Sequence, residues 1–259
     1  MHHSRCKLIN LLNLLFHPLS QLHWLIGLPL LLLTSLSIQS APLKTKMELQ
    51  DYRASYQLLW HGLGVGTSIH TIRHIKGEHY LVEVKSKPKL SFLPFKSFEK
   101  SEFTFTKHEF YPFNYEYQSQ EKSKIKTGSI QFNWKQKKAK SLIEGKPSME
   151  FLLSHHSQDK ITLYFQLRQD IRDGKSQLSY DVIEPERIKN YTFKVTGKEL
   201  LKTSLGLLET TRVEHLSENK ERLTKLWLAK DLNYLIVKLQ QFRKGKMSAE
   251  SVIQTLETP

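Results

Sequence analysis

From Tyr52 onward the apolar residues recur at every second position, and this alternation most constrains what the chain can become. A period of two turns one face of an extended strand inward and leaves the other in solvent. Ser129–Trp134 (SIQFNW) puts Ile130, Phe132 and Trp134 on one side, and Tyr191–Val195 (YTFKV) does the same with Tyr191, Phe193 and Val195. Both read as half-buried antiparallel strands. The same reading gives strands at Tyr52–Leu59, Gly66–Ile75, Tyr80–Lys85, Phe98–Thr106, Phe113–Gln118, Gln177–Ile183, Leu207–His215, Leu223–Leu228 and Leu235–Phe242. Turn signals separate them at Lys76-Gly77, Asp173-Gly174, Gly197-Lys198, Lys244-Gly245 and in the loop from Pro88 to Pro94. The expected fold class is mainly β: an antiparallel curved sheet closing into a barrel-like or sandwich body.

One segment departs from this pattern. Between Ser157 and Arg172, Leu163, Leu167 and Ile171 lie on one helical face, although period two also fits as far as Leu167. No glycine or proline interrupts 157–172, and Asp173-Gly174 supplies a stop, so one short helix over about 158–172 is expected against the β body. Ser157 is placed to cap it, with Asp159 near its positive end.

Upstream, Trp24–Ser40 (WLIGLPLLLLTSLSIQS) reads as the apolar core and cleavage region of an export signal. Arg5 and Lys7 precede it without an acid, and the apolar run is shorter than the ~20 residues a bilayer span needs. The expected organisation is a signal peptide over 1–40, with an uncleaved inner-membrane anchor as the rival, then one β domain over 41–259. The expected location is the periplasm. Cys6, the only cysteine, stands far ahead of the apolar core, so it is not a lipoprotein cysteine. The exported part then contains neither disulfide nor thiolate chemistry.

Loss of the leader lowers the net charge only from +14 to +12. A strongly basic exported protein is expected to meet anionic partners, here an anionic lipid or envelope glycan, with contact at a membrane surface. Nucleic acid is not expected in that compartment. The lysine run KQKKAK over 135–140 follows a strand end and reads as solvated turn lysines.

Several pieces together resemble a known family. Asp159 with LYFQLR at 163–168, YTFKVTGKE at 191–199, TSLG at 203–206, and KLWLAKD at 225–231 followed by YLIVKLQQ carry the resemblance. YQLLWHGLGVG over 56–66 and Tyr111-Pro112 fit its opening. The chain is similar over about residues 50–256 to the bacterial exported proteins of domain-of-unknown-function family 3108. Ile236 departs from that family, which commonly has a proline before its last long strand. The resemblance implies a secreted, mainly antiparallel β protein with one helix, and no established activity.

No motif spells out a catalytic centre. Gly62, Gly64 and Gly66 superficially resemble a phosphate loop, but SIHTI after them alternates as a strand instead of opening a helix, so a hairpin turn or β-bulge is expected. His70 and His74 fall on one strand face about 13 Å apart, too far to share an ion; neither a metal nor a cofactor is expected. No G-x-S-x-G pentapeptide occurs. The segment Lys85–Lys100 (KSKPKLSFLPFKSFEK) interleaves lysines with aromatics and suits a lipid interface. A non-enzymatic protein enclosing an apolar groove for an acyl chain is the preferred reading. Its candidate lining residues are Trp60, Phe92, Phe95, Trp134 and Trp227, with Lys89 and Lys96 for phosphates. The alternatives are a hydrolase of an envelope polymer using Glu184, Glu186 or Glu199, and a structural interaction module.

Overall fold

The computed structural model describes residues 49–89, 95–121 and 124–259, apart from the side chains of Phe95 and Glu121. The apolar leader, its expected signal helix and cleavage region, Cys6 and Phe92 lie outside the described residues. Among those described, no helix is long and apolar enough to cross a membrane.

The first half of the sheet comprises β1 (Tyr52–Trp60), β2 (Leu63–Lys76), β3 (His79–Pro88), β4 (Phe95–Thr106), β5 (Glu109–Glu121), β6 (Lys124–Asn133), β7 (Lys138–Ile143) and β8 (Met149–Leu152). A two-residue strand β9 (Ser157–Gln158) and the helix α1 (Thr162–Arg172) follow. The second half comprises β10 (Leu178–Glu184), β11 (Arg187–Thr203), β12 (Gly206–Leu216), β13 (Arg222–Ala229), β14 (Leu235–Arg243) and β15 (Lys246–Glu257).

Consecutive strands pair antiparallel from β1 to β8 and from β10 to β15, the short β9 joins β10 in parallel, and β1 pairs with β15 as well as β2, so the two meanders join into one fifteen-stranded sheet. Its ends are β8 and β9, which do not pair with each other. The sheet is curved and not closed. Register shifts between β1 and its two neighbours, between β4 and β5, and between β13 and β14 insert extra residues, each bending its strand and increasing the local twist. Pro112 is tolerated inside β5 because it sits at one of these irregularities, with Phe103 opposite it. Glycine at 62 (φ 83°) turns the chain between β1 and β2, and the shift between Leu58 and Leu59 falls opposite Gly66 and Gly64. The GLGVG segment is therefore a hairpin with a bulge.

The helix begins later than the sequence pattern suggests, at Thr162, because Ser157 and Gln158 pair with Asp181 and Val182 as β9. The carboxylate of Asp159, not Ser157, satisfies the exposed amides: Oδ1 accepts from Ile161 N at 2.7 Å and Thr162 N at 2.8 Å. Asp173 and left-handed Gly174 (φ 72°) end the helix where the sequence places its stop.

The sheet wraps α1. Ile161 and Phe165 pack with Ile72, Val82, Phe103, Phe110 and Ile130 of the first half. Leu163 and Leu167 pack with Leu178, Tyr180, Phe193, Val213, Leu226 and Leu228 of the second. Because opposite faces of the helix meet different halves of the sheet, Gln166, Arg168, Gln169 and Asp170 are buried along with the apolar residues. A third cluster holds Trp227, Ala229 and Val237, with Leu201, Leu205 and Leu208 of the β11–β12 hairpin packed against it.

Candidate functional site: an apolar cavity beside the helix

An eleven-residue helix spans about 16 Å, whereas the fourteen residues of β2 can extend over about 46 Å. The interior plug is thus much shorter than the wall around it. An apolar cavity of about 180 Å³ lies along α1, bounded by β1, β2, β3, β4, β14 and β15. Tyr56, His70, Val82, Val84, Ile236 and Leu239 form the sheet side, while Ile161, Tyr164 and Phe165 form the helix side. Period-two alternation explains the set: Val82 and Val84 share a face of β3, as do Tyr52 and Tyr56 of β1. A dry, apolar cavity of comparable size holds a benzene-sized molecule.

The polar groups of the wall are held mostly uncharged. The Tyr56 hydroxyl donates to Ile236 O at 3.0 Å, and burial pushes its pKa far up. The His70 ring lies tilted by 39° against Tyr56 with 4.5 Å between centroids, and its Nε2 lies 3.1 Å from Ser68 Oγ. Burial lowers the His70 pKa to about 4, so the ring is neutral at neutral pH. Tyr164 is pushed up to about 12, first by burial and then by the charge of Glu99. Glu99 itself accepts the Tyr115 hydroxyl at 2.6 Å. Lys160 is the exposed residue of the lining, and Arg168 the buried cation.

Those residues selected from sequence whose side chains are described lie outside this lining. Trp60 stands 59 % exposed at the tip of β1, against His61. Trp134 packs edge-on to Tyr111 and donates its indole N–H to Pro112 O at 2.7 Å. Trp227 is buried in the third cluster, its indole donating to Glu199 and its ring under Lys238 Nζ at 5.3 Å. Lys89 and Lys96 are exposed beside the β3–β4 connection. Phe92 falls outside the described residues, and of Phe95 only the backbone, opening β4, is described. Among the described side chains, Trp60, Trp134, Trp227, Lys89 and Lys96 are not part of the cavity wall. Aromatic size drew attention to them, whereas strand parity and the helix LYFQLR carried the signal for Tyr56, Val82, Val84, Tyr164 and Arg168.

The acids considered for polymer hydrolysis divide between two places. Glu184 and Glu186 line a polar recess with Glu144, Lys126, Lys146 and Arg187. Glu184 accepts from Arg187 Nε at 2.9 Å and the Tyr191 hydroxyl at 3.1 Å. Glu186 pairs with Lys146, which holds its carboxyl below the usual range. A glycosidase acid needs the opposite shift. Glu199 is remote from this recess, bound by Trp227 and by Arg212 at 3.7 Å. The histidines are dispersed too: His74 Nε2 contacts Gly77 O at 2.7 Å while His70 faces Tyr56. No group of three or more potential ligands for a metal ion occurs among the described residues.

Comparison with known proteins places this geometry. No curated protein matches the chain. A β-barrel-like protein of domain of unknown function DUF1849 from Brucella abortus superposes with a TM-score of 0.54 at 10 % identity, covering 82 % of this chain and 99 % of that one. The likeness is one of fold. A DUF1329 family protein from Desulfovibrio piger, 7 % identical over 81 % of this chain and 85 % of its own, superposes only to a TM-score of 0.26. The family described as protein of unknown function (DUF3108) matches residues 51–249, and with the strands and helix of that stretch now placed, the chain belongs to this family.

Proposed function

We propose that this is an exported, non-enzymatic protein of the cell envelope that holds an acyl chain in the cavity between α1 and the curved sheet. The observation that carries the reading is the cavity itself: about 180 Å³ walled by Val82, Val84, Ile161, Phe165, Ile236 and Leu239, beside which the polar groups Tyr56, His70 and Tyr164 are kept neutral. Such a wall offers an alkyl chain dispersion contacts and removal from water, roughly 0.8 kcal/mol for each methylene buried. The size suits one short chain or the end of a longer one.

The basic surface supports an envelope setting. Lys85, Lys87, Lys89, Lys96, Lys124, Lys126, Lys244 and Lys246 cluster on the strand ends and turns at one end of the sheet, together with exposed Trp60, Leu63 and Ile125. This combination suits contact with anionic head groups. The test is native mass spectrometry and lipid extraction of protein isolated gently from its own periplasm. A co-purifying acyl compound in near-stoichiometric amount is expected; protein that is ligand-free in every preparation and takes up no lipid when incubated with envelope extract contradicts the reading.

A further inference from the structure

Arg168 projects from the middle of α1 and is only 5 % exposed. Its guanidinium borders both the apolar cavity and a second recess of similar volume lined by Leu49, Gln50, Asp231, Leu232 and Asn233. The partners it has are neutral: the Tyr52 hydroxyl at 3.4 Å, Asn233 O at 3.1 Å, and the Phe165 ring at 5.2 Å from Cζ. Nε is buried and has no hydrogen-bond partner among the described residues. Of the neighbouring acids, Asp170 is engaged by the Tyr180 hydroxyl at 2.8 Å and Lys175 Nζ at 2.7 Å, and Glu99 by Tyr115, while Asp231, which shares the second recess, is exposed. No carboxylate among the described residues forms an ion pair with Arg168.

A buried cation without a counter-ion is costly to keep, and an arginine presents five donors in a plane that matches a two-oxygen anion. We propose that Arg168 receives the carboxylate of a fatty acid bound head-first, its alkyl chain lying along Ile161, Tyr164, Val84 and Leu239. This rests on the cavity being an acyl-chain site and adds the chemistry of the head group. A single guanidinium beside so small a cavity answers one negative charge, which a carboxylate supplies. The bond is charge-assisted and made away from bulk water, so it discriminates strongly against a head group of the same size without charge.

The test compares decanoate with 1-decanol, equal in chain length, by calorimetric titration of the delipidated protein at neutral pH. Decanoate is expected to bind at least about tenfold more tightly, a preference that R168Q abolishes by weakening decanoate far more than decanol. R168M serves the same comparison should the glutamine variant be poorly folded, since a buried charge replaced by an apolar side chain of similar length is generally tolerated. Equal affinity of the native protein for both compounds, or a preference that survives in both variants, overturns the assignment of Arg168 while leaving the cavity as an acyl-chain site. Failure of both compounds to bind overturns both.

Discussion

Ser101 donates its hydroxyl to Asp159 Oδ2 at 2.5 Å, tying the middle of β4 to the residue that caps α1. Both residues are fully buried. Burial raises the Asp159 pKa from 3.8 to about 6, against the opposing effect of hydrogen bonds from Ser101, Thr162 and Ile161. The folded state therefore holds its proton more tightly than the unfolded chain. The stabilising effect is complete below the unfolded value and is lost as pH rises through the folded one, amounting to about 3 kcal/mol between pH 4 and 6. Asp159→Asn keeps the Oδ1 cap and removes the titration. Urea unfolding across pH 4 to 7 is expected to show native stability falling relative to the variant as pH rises; a gap that stays constant contradicts the shift.

Phe165 joins the helix to the first half of the sheet, with its ring centroid 5.7 Å from Phe103 and 5.8 Å from Phe110. Phe165→Ala is expected to cost about 3–5 kcal/mol, because it removes a buried ring and leaves a void that the surrounding strands close only in part. Thermal and chemical unfolding measure this, and a loss below about 1 kcal/mol contradicts the packing described.

Gly128 owes its place in β6 to lack of space. A Cβ there meets Leu142 O at 2.6 Å and Tyr117 Cε1 at 2.7 Å. Since one obstacle is backbone, Gly128→Ala must shift β7 against β6, with a destabilisation of about 1–3 kcal/mol. Gly64→Ala, which meets only the movable end of Gln57, is the control and is expected to cost less.

The half-buried Val84 lines the cavity without belonging to any fully buried cluster. Val84→Phe is expected to fill the space and reduce the uptake of a fluorescent fatty acid several-fold, with a melting temperature close to that of the native protein. Unchanged uptake in a folded variant places the ligand elsewhere.

The physical signals in the sequence were uneven. The alternation in SIQFNW and YTFKV marks β6 and β11 and buries Ile130, Phe132 and Phe193, whereas Val195, beside the register shift between β11 and β12, is 51 % exposed. β7 (KAKSLI) and β15 (KMSAESVIQTLE) are faint in the sequence because inward positions such as Ala139, Ser141 and Ser251 carry small or polar residues, and a period of two in hydrophobicity vanishes when the inner face is not greasy. The cavity shares this origin, since Ser251 is one of its walls. Arg168 was opaque for another reason: a charged residue on a helix normally marks the solvent face, and only a sheet wrapped around both sides of α1 turns it inward. The large aromatics at strand ends, Trp60 and Trp134, drew attention by size alone.

An acyl chain held beside α1, as proposed, can be located directly. Diffraction from crystals soaked with a fatty acid brominated near the middle of its chain locates the ligand by the bromine's anomalous signal. The account predicts one bromine among Val84, Tyr164, Ile236 and Leu239. Bromine found only on the outer surface of the sheet, or an empty cavity at saturating ligand, contradicts it.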